Sequence, residues 1–98
     1  MFQKFKDLYK MQKQAKAIKN ELKKIQIEAE ENGVTVVMTA DQEIISIDIS
    51  ESLLSSDNKI KLEKSLIKAI QKASKKAQQV SADKMKSVMG DMGFPGAN

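Results

Sequence analysis

Leu8, Met11, Ala15, Ile18, Leu22, Ile25 and Ala29 recur at alternating spacings of three and four residues. Side chains on an α-helix repeat their direction every 3.6 residues, so this spacing predicts a helix with one apolar seam sustained for about three heptads. No Gly or Pro interrupts the run. Phe2 and Phe5 add an apolar N-terminal end, expected to pack across a subunit boundary. The last turns carry a competing pattern. Ile25, Ile27 and Ala29 also alternate with Gln26, Glu28 and Glu30, the period of a strand. A short strand before the Asn32-Gly33 turn is therefore an alternative to the final helical turns.

Beyond that turn, Val34-Thr35-Val36-Val37-Met38-Thr39 is rich in β-branched residues, which favour strands. A second strand follows at Glu43–Ile49, where Ile45, Ile47 and Ile49 alternate with Ser46 and Asp48, so one face is expected buried and the other wet. The short link between the two strands predicts an antiparallel hairpin. A hairpin alone is marginal in water and must pack on helices or on a second chain. The polar connector from Ser50 to Asn58 ends in Ser56 and Asp57, either of which can cap a following helix. That helix carries Leu62, Leu66, Ala69, Ile70, Ala73, Ala77 and Val80 as its apolar stripe and is expected to end near Gly90. The expectation is an α+β fold: a long N-terminal helix, a small antiparallel sheet of two or three strands, and a long C-terminal helix. Residues 1–90 form its single domain, with 91–98 as a flexible tail whose Gly and Pro suit a chain end.

A chain of 98 residues buries a modest core, which makes assembly with a second subunit attractive. It contains no Cys and no His, so thiolate metal sites, disulfides and imidazole base catalysis are excluded. Glu28, Glu30 and Glu31 cluster at a turn, but at spacings unlike a calcium loop or a glycosidase pair. There is no Gly-rich phosphate loop either. The expectation is a protein that is not an enzyme, with no metal, cofactor or small-molecule substrate. No apolar run is long enough to cross a bilayer and no secretory signal is apparent, so a soluble cytoplasmic protein is expected.

Charge is sorted along the chain. Residues 1–24 hold eight Lys against Asp7 and Glu21, a net +6. Residues 25–58 hold eight acids and no Lys, and residues 59–98 hold nine Lys against three acids, again +6. With Leu8 at heptad position a, Lys6 and Lys13 fall at f, Lys10 and Lys24 at c, and Lys16 and Lys23 at b, all opposite the seam. The stripe from Lys6 to Lys24 spans about 27 Å at about 1.5 Å per residue. Lys61, Lys64, Lys68, Lys72 and Lys75 make a second stripe, extended by Lys76, Lys84 and Lys86. A face that merely solubilises a helix mixes Glu with Lys, gaining pairs and avoiding self-repulsion. The shortage of acid points instead to a polyanion. With no Arg in the chain, bidentate guanine reading by guanidinium is excluded. The acidic sheet lacks aromatic residues on which bases could stack, which argues against single-strand readers. A membrane-surface helix would need a bulkier lipid-facing side than this Ala-diluted seam. Backbone contacts along duplex DNA remain.

The segment Glu43-Ile44-Ile45-Ser46-Ile47-Asp48-Ile49-Ser50-Glu51-Ser52-Leu53-Leu54, with Leu62-Glu63, Ala69-Ile70-Gln71-Lys72-Ala73 and the terminal Met92-Gly93-Phe94-Pro95-Gly96, resembles the YbaB/EbfC family of bacterial nucleoid-associated DNA-binding proteins. The resemblance covers nearly the whole chain. It implies a tweezer-like homodimer jointed by strands of both subunits, arms whose basic faces meet DNA, a nucleoid location, and effects on nucleoid organisation and transcription. The chain departs from the family's pattern in a less Gly-rich first loop and in a hairpin tip of Thr39-Ala40-Asp41-Gln42. It departs again in Ser50-Glu51, where Pro is frequent, and in Gln71-Lys72, where Asn-Asp is frequent. The expected DNA contacts are Lys6, Lys10, Lys13, Lys16, Lys23, Lys24, Lys68, Lys72, Lys75 and Lys76. The expected dimer interface comprises Val34, Val36, Ile45, Ile47, Ile49, Leu66 and Ile70. The alternative is a prefoldin-like chaperone or protein-interaction subunit that would hold clients with apolar helix tips, against which the one-sided lysine stripes speak.

Overall fold

The computed structural model describes residues 2–91, with side-chain surroundings for residues 6–88. The expectations placed on the Phe2 and Phe5 side chains, and on the tail from residue 92, lie outside the described residues. The element order is α1 (Phe2–Leu22), β1 (Gln26–Glu31), β2 (Val34–Thr39), β3 (Ile44–Ile49), two short 3₁₀ turns at Glu51–Leu53 and Ser56–Asn58, and α2 (Lys59–Asp91). The three strands form one antiparallel sheet in the order β1-β2-β3. The α+β expectation holds, with three strands rather than two.

The helical seam stops sooner than its spacing predicts. α1 ends at Leu22, and Ile25 and Ala29 belong to the turn and to β1. The period-two pattern prevails because β2 supplies cross-strand partners: Ile27 faces Met38, and Ala29 faces Val36. The seam is also incompletely buried. Ile18 and Leu22 join the core, whereas Leu8 and Met11 are 56% and 53% exposed.

Two turns set the register. Asn32 (φ 47°) and Gly33 (φ 91°) both have positive φ, as a two-residue hairpin of type I′ requires. A Cβ on Gly33 would also lie 3.1 Å from Leu53 Cδ1 and 3.2 Å from Ser50 Cβ. At the other end, the Thr39 hydroxyl accepts from the Glu43 N–H at 3.0 Å, and Gln42 takes the left-handed conformation at φ 65°. The Gln42 carboxamide oxygen accepts a 2.8 Å bond from Ser74 of α2, which ties the strained tip to the helix. A bulge between Val37 and Met38 leaves Ile45 as the extra residue of β3.

α2 lies across β1 and β2. Ala69, Ala73 and Ala77, all without accessible surface, let its backbone approach Ala29, Val34, Val36 and Met38 closely. β3 escapes this cover. Its alternation predicts one buried face of isoleucines, yet Ile44, Ile45 and Ile47 are 45%, 48% and 42% exposed. The expected caps are also absent: Ser56 and Asp57 form a 3₁₀ turn, and the Asn58 amide donates to Ser52 O at 2.8 Å. The molecule extends over 65 × 23 × 18 Å with a radius of gyration of 18.7 Å, against about 13 Å for a compact domain of similar length. The excess comes from the helices, which reach beyond the sheet.

Candidate nucleic-acid interface

The cationic face of α1 forms where the helix has least contact with the rest of the chain. Lys6, Lys10, Lys13, Lys16 and Lys19 are all exposed. Lys6, Lys10, Lys13 and Lys16 share the side away from Ile18 and Leu22, because the apolar residues anchor the opposite side of the helix, whereas Lys19 flanks the apolar side one position after Ile18. Among the described residues, no α1 lysine forms an ion pair with a carboxylate; the ion pairs involve Lys59, Lys72 and Lys84. Lys23 and Lys24 do not continue the stripe as helical residues. They sit in the turn that leads into β1, where Lys23 N still donates to Lys19 O at 3.1 Å and Lys24 N to Glu21 O at 3.1 Å.

α2 divides its lysines between two settings. Lys72 Nζ donates to Glu30 O at 3.2 Å and lies 3.7 Å from the Glu31 carboxylate, while Lys76 Nζ donates to Glu28 O at 3.1 Å. Two residues four apart on a helix are about 6 Å apart along its axis, and two residues two apart on a strand about 6.7 Å. The ladder fits for that reason. It lies along the edge of β1 that has no strand neighbour, where Glu28 and Glu30 present their carbonyls. Lys61, Lys64, Lys68 and Lys75 are exposed, on the side of α2 away from the alanine seam. Of the expected second set, Lys68 and Lys75 thus face outward and Lys72 and Lys76 are tied to the sheet.

α1 and α2 meet through one close ion pair. Lys84 Nζ lies 2.8 Å from Glu21 Oε2. The hydrogen bond from Lys84, aided by its charge and more weakly by that of Lys24, holds the Glu21 carboxyl below the usual carboxylate range.

The expected interface residues separate by accessibility. Val34 and Val36 have no accessible surface and belong to the protomer's own core, packed beneath α2, so they are unavailable to a partner. Leu66, Ile70 and Ile49 are half-buried beside that core, while Ile45 and Ile47 are open. The spacing rules passed over Ile44, Ile60 and Ile67, which are 45%, 68% and 58% exposed. Ile60 and Ile67 lie outside the stripe that includes Leu66 and Ala69, and the seven-residue spacing between them was the available signal. Among the described residues, no group of three acidic side chains is placed to hold a metal ion, and no helix is long and apolar enough to cross a membrane.

Fold and surface together define a helix–sheet–helix module with lysine-covered helices and an acidic sheet edge. The chain belongs to the YbaB/EbfC DNA-binding family, which it matches over residues 1–92. It is 34% identical to a nucleoid-associated protein of Nitrobacter winogradskyi over 92 residues, 92% of this chain and 87% of that one. A nucleoid-associated protein of Rhodopseudomonas palustris is likewise 34% identical, covering 92% of this chain and 88% of the relative. The crystal structure of an uncharacterized protein from Helicobacter pylori shares the fold, with a TM-score of 0.69 over 89% of each chain at 19% identity.

Proposed function

We propose that this protein is a nucleoid-associated, non-enzymatic DNA-binding protein that coats or bridges duplex DNA as a homodimer. It grips phosphates with little direct base readout, and acts on nucleoid organisation and transcription through that coating. The observation that carries this reading is the α1 face, on which Lys6, Lys10, Lys13 and Lys16 are exposed and pair with no carboxylate among the described residues. Point charges at helical spacing suit a regular polyanion, and binding of that kind releases counterions. Family membership and the names of the relatives support DNA as the partner and the nucleoid as the place.

Lys23 and Lys24 lie at the base of the arm, and Lys68 and Lys75 on α2 form the second set. Lys72 and Lys76 contribute less because their ammonium groups already serve β1. A second copy supplies a cover for the open isoleucines of β3, which α2 does not reach.

The test is a titration of duplex DNA across a range of salt concentrations. Wild-type affinity is expected to fall linearly on a log–log plot. Replacing Lys10, Lys13 and Lys16 together by Gln is expected to flatten the slope by roughly 2.7, at about 0.9 for each phosphate no longer neutralised. Helix content should not change, because all three side chains are exposed. A folded triple variant that binds like the wild type would refute the assignment.

A further inference from the structure

Among the described side chains, one aromatic residue stands among the lysines of α1. Tyr9 occupies heptad position b, where Lys16 stands one heptad later. At 100° per residue, Lys6, Lys13 and Lys16 all fall within about 60° of it around the helix. Its side chain is 67% exposed. A shallow hollow on this face is lined by Lys6, Tyr9, Lys10 and Lys13, and a neighbouring one continues along Lys10, Lys13, Gln14 and Ala17. Tyr9 therefore belongs to the cationic face and not to the apolar seam that begins at the adjacent Leu8.

Lys6 and Lys13 are seven residues apart, about 10.5 Å along the helix axis, with Tyr9 between them. The minor groove of B-form DNA is about 6 Å wide and bordered by a phosphate row on each side. Two cations at this separation can reach both rows while a flat amphipathic ring between them faces the groove. We propose that Tyr9 enters the minor groove of duplex DNA, with Lys6 and Lys13 on the flanking phosphates. This rests on the DNA-binding reading of α1 and adds to it a non-ionic interaction. The ring meets sugars and base edges, so it responds to groove width and to the ease of unstacking a base step. Sequence preference then arises without Arg and without a hydrogen-bond code.

The chain has one Tyr and no Trp, so its tyrosine emission reports on this position alone. Titrating the full-length protein with duplex DNA is expected to change that emission in step with binding, and prior occupation of the minor groove by a groove-binding dye is expected to abolish the change. Tyr9→Ala should weaken binding about fivefold at every salt concentration with the log–log slope unchanged, since an aromatic interaction carries no counterion term. Tyr9→Phe should bind within about twofold of the wild type, because the ring rather than the hydroxyl meets the DNA. Wild-type binding with unaltered emission and an unaffected Tyr9→Ala variant would overturn the proposal while leaving the phosphate grip intact. An equal emission change and an equal weakening by Tyr9→Ala on single-stranded DNA would also overturn it, by placing the ring on unstacked bases. Failure of the wild type to bind any duplex would instead remove the underlying reading.

Discussion

Glu21 and Lys84 join the base of α1 to α2 across 2.8 Å, and both side chains are partly open to water. The pair's contribution to stability is therefore small, and its effect is on direction. It restrains the angle at which α1 leaves the sheet. Because Lys84 lowers the Glu21 pKa in the folded protein, the pair stabilises the docked arm at pH values above the unfolded carboxyl's pKa. That contribution is lost as the pH falls through the depressed folded value. Acidification into this range is expected to raise amide exchange at Ile18–Leu22 before the sheet is affected. Glu21→Gln should show the raised exchange already at neutral pH and lose this component of the pH dependence. Identical exchange profiles for the two proteins across the acidic range would show that Ile18 and Leu22 alone hold the arm.

At the scale of elements, α2 does two jobs with its two flanks. The alanine seam seats it on β1 and β2, and the Lys72–Lys76 ladder then covers the carbonyls of the β1 edge. Lysines along an open edge discourage another strand from pairing there. Replacing Lys72 and Lys76 together by Gln is expected to change the salt slope of DNA binding by less than about one, although two lysines fully engaged with phosphate would account for about 1.8. The same variant should self-associate more readily, visible as concentration-dependent light scattering in the absence of DNA. A slope change near 1.8 without added scattering would return both lysines to the DNA face. Much of this architecture was legible in residue spacing. Asn32-Gly33 marked a hairpin turn, and the alternation at Ile27 and Ala29 competed openly with the helical seam. The choice between those patterns depended on β2, a partner distant in sequence from α1. The dual role of the α2 lysines was illegible for a similar reason, since a stripe at spacings of three and four reads the same whether it faces phosphate or a strand edge. Charge counting pointed to the acidic middle block but could not place Glu28 and Glu30 beside Lys76 and Lys72.

The whole molecule has one sheet edge closed and one open. β1 is covered by the α2 ladder, whereas β3 presents Ile44, Ile45 and Ile47 with roughly half their surface exposed. Ile60 and Ile67 of α2 are exposed as well, while fully buried large apolar side chains are few among the described residues. Ile44, Ile45 and Ile47 lie together on one strand, and exposed apolar side chains grouped in this way mark an interaction site. A second copy placed there would set two lysine arms on one body. Bivalent attachment raises overall affinity by about 10²–10⁴ without any new interaction, provided both arms engage together. Ile47→Asp tests the arrangement because its 42% exposure lets a single protomer tolerate the carboxylate, whereas a packed interface would bury an unpaired charge. Wild-type protein is expected to sediment at twice the chain mass, and the variant at the chain mass with unchanged helix content. The variant's affinity for long duplex DNA should fall by at least about 10²-fold, and its salt slope should drop to about half, because each particle then carries one arm. A monomeric variant that keeps the wild-type slope would mean that one arm alone saturates the DNA, leaving bridging without a structural basis. A variant that remains dimeric would move the interface away from β3, to the exposed Leu8 and Met11 side of α1.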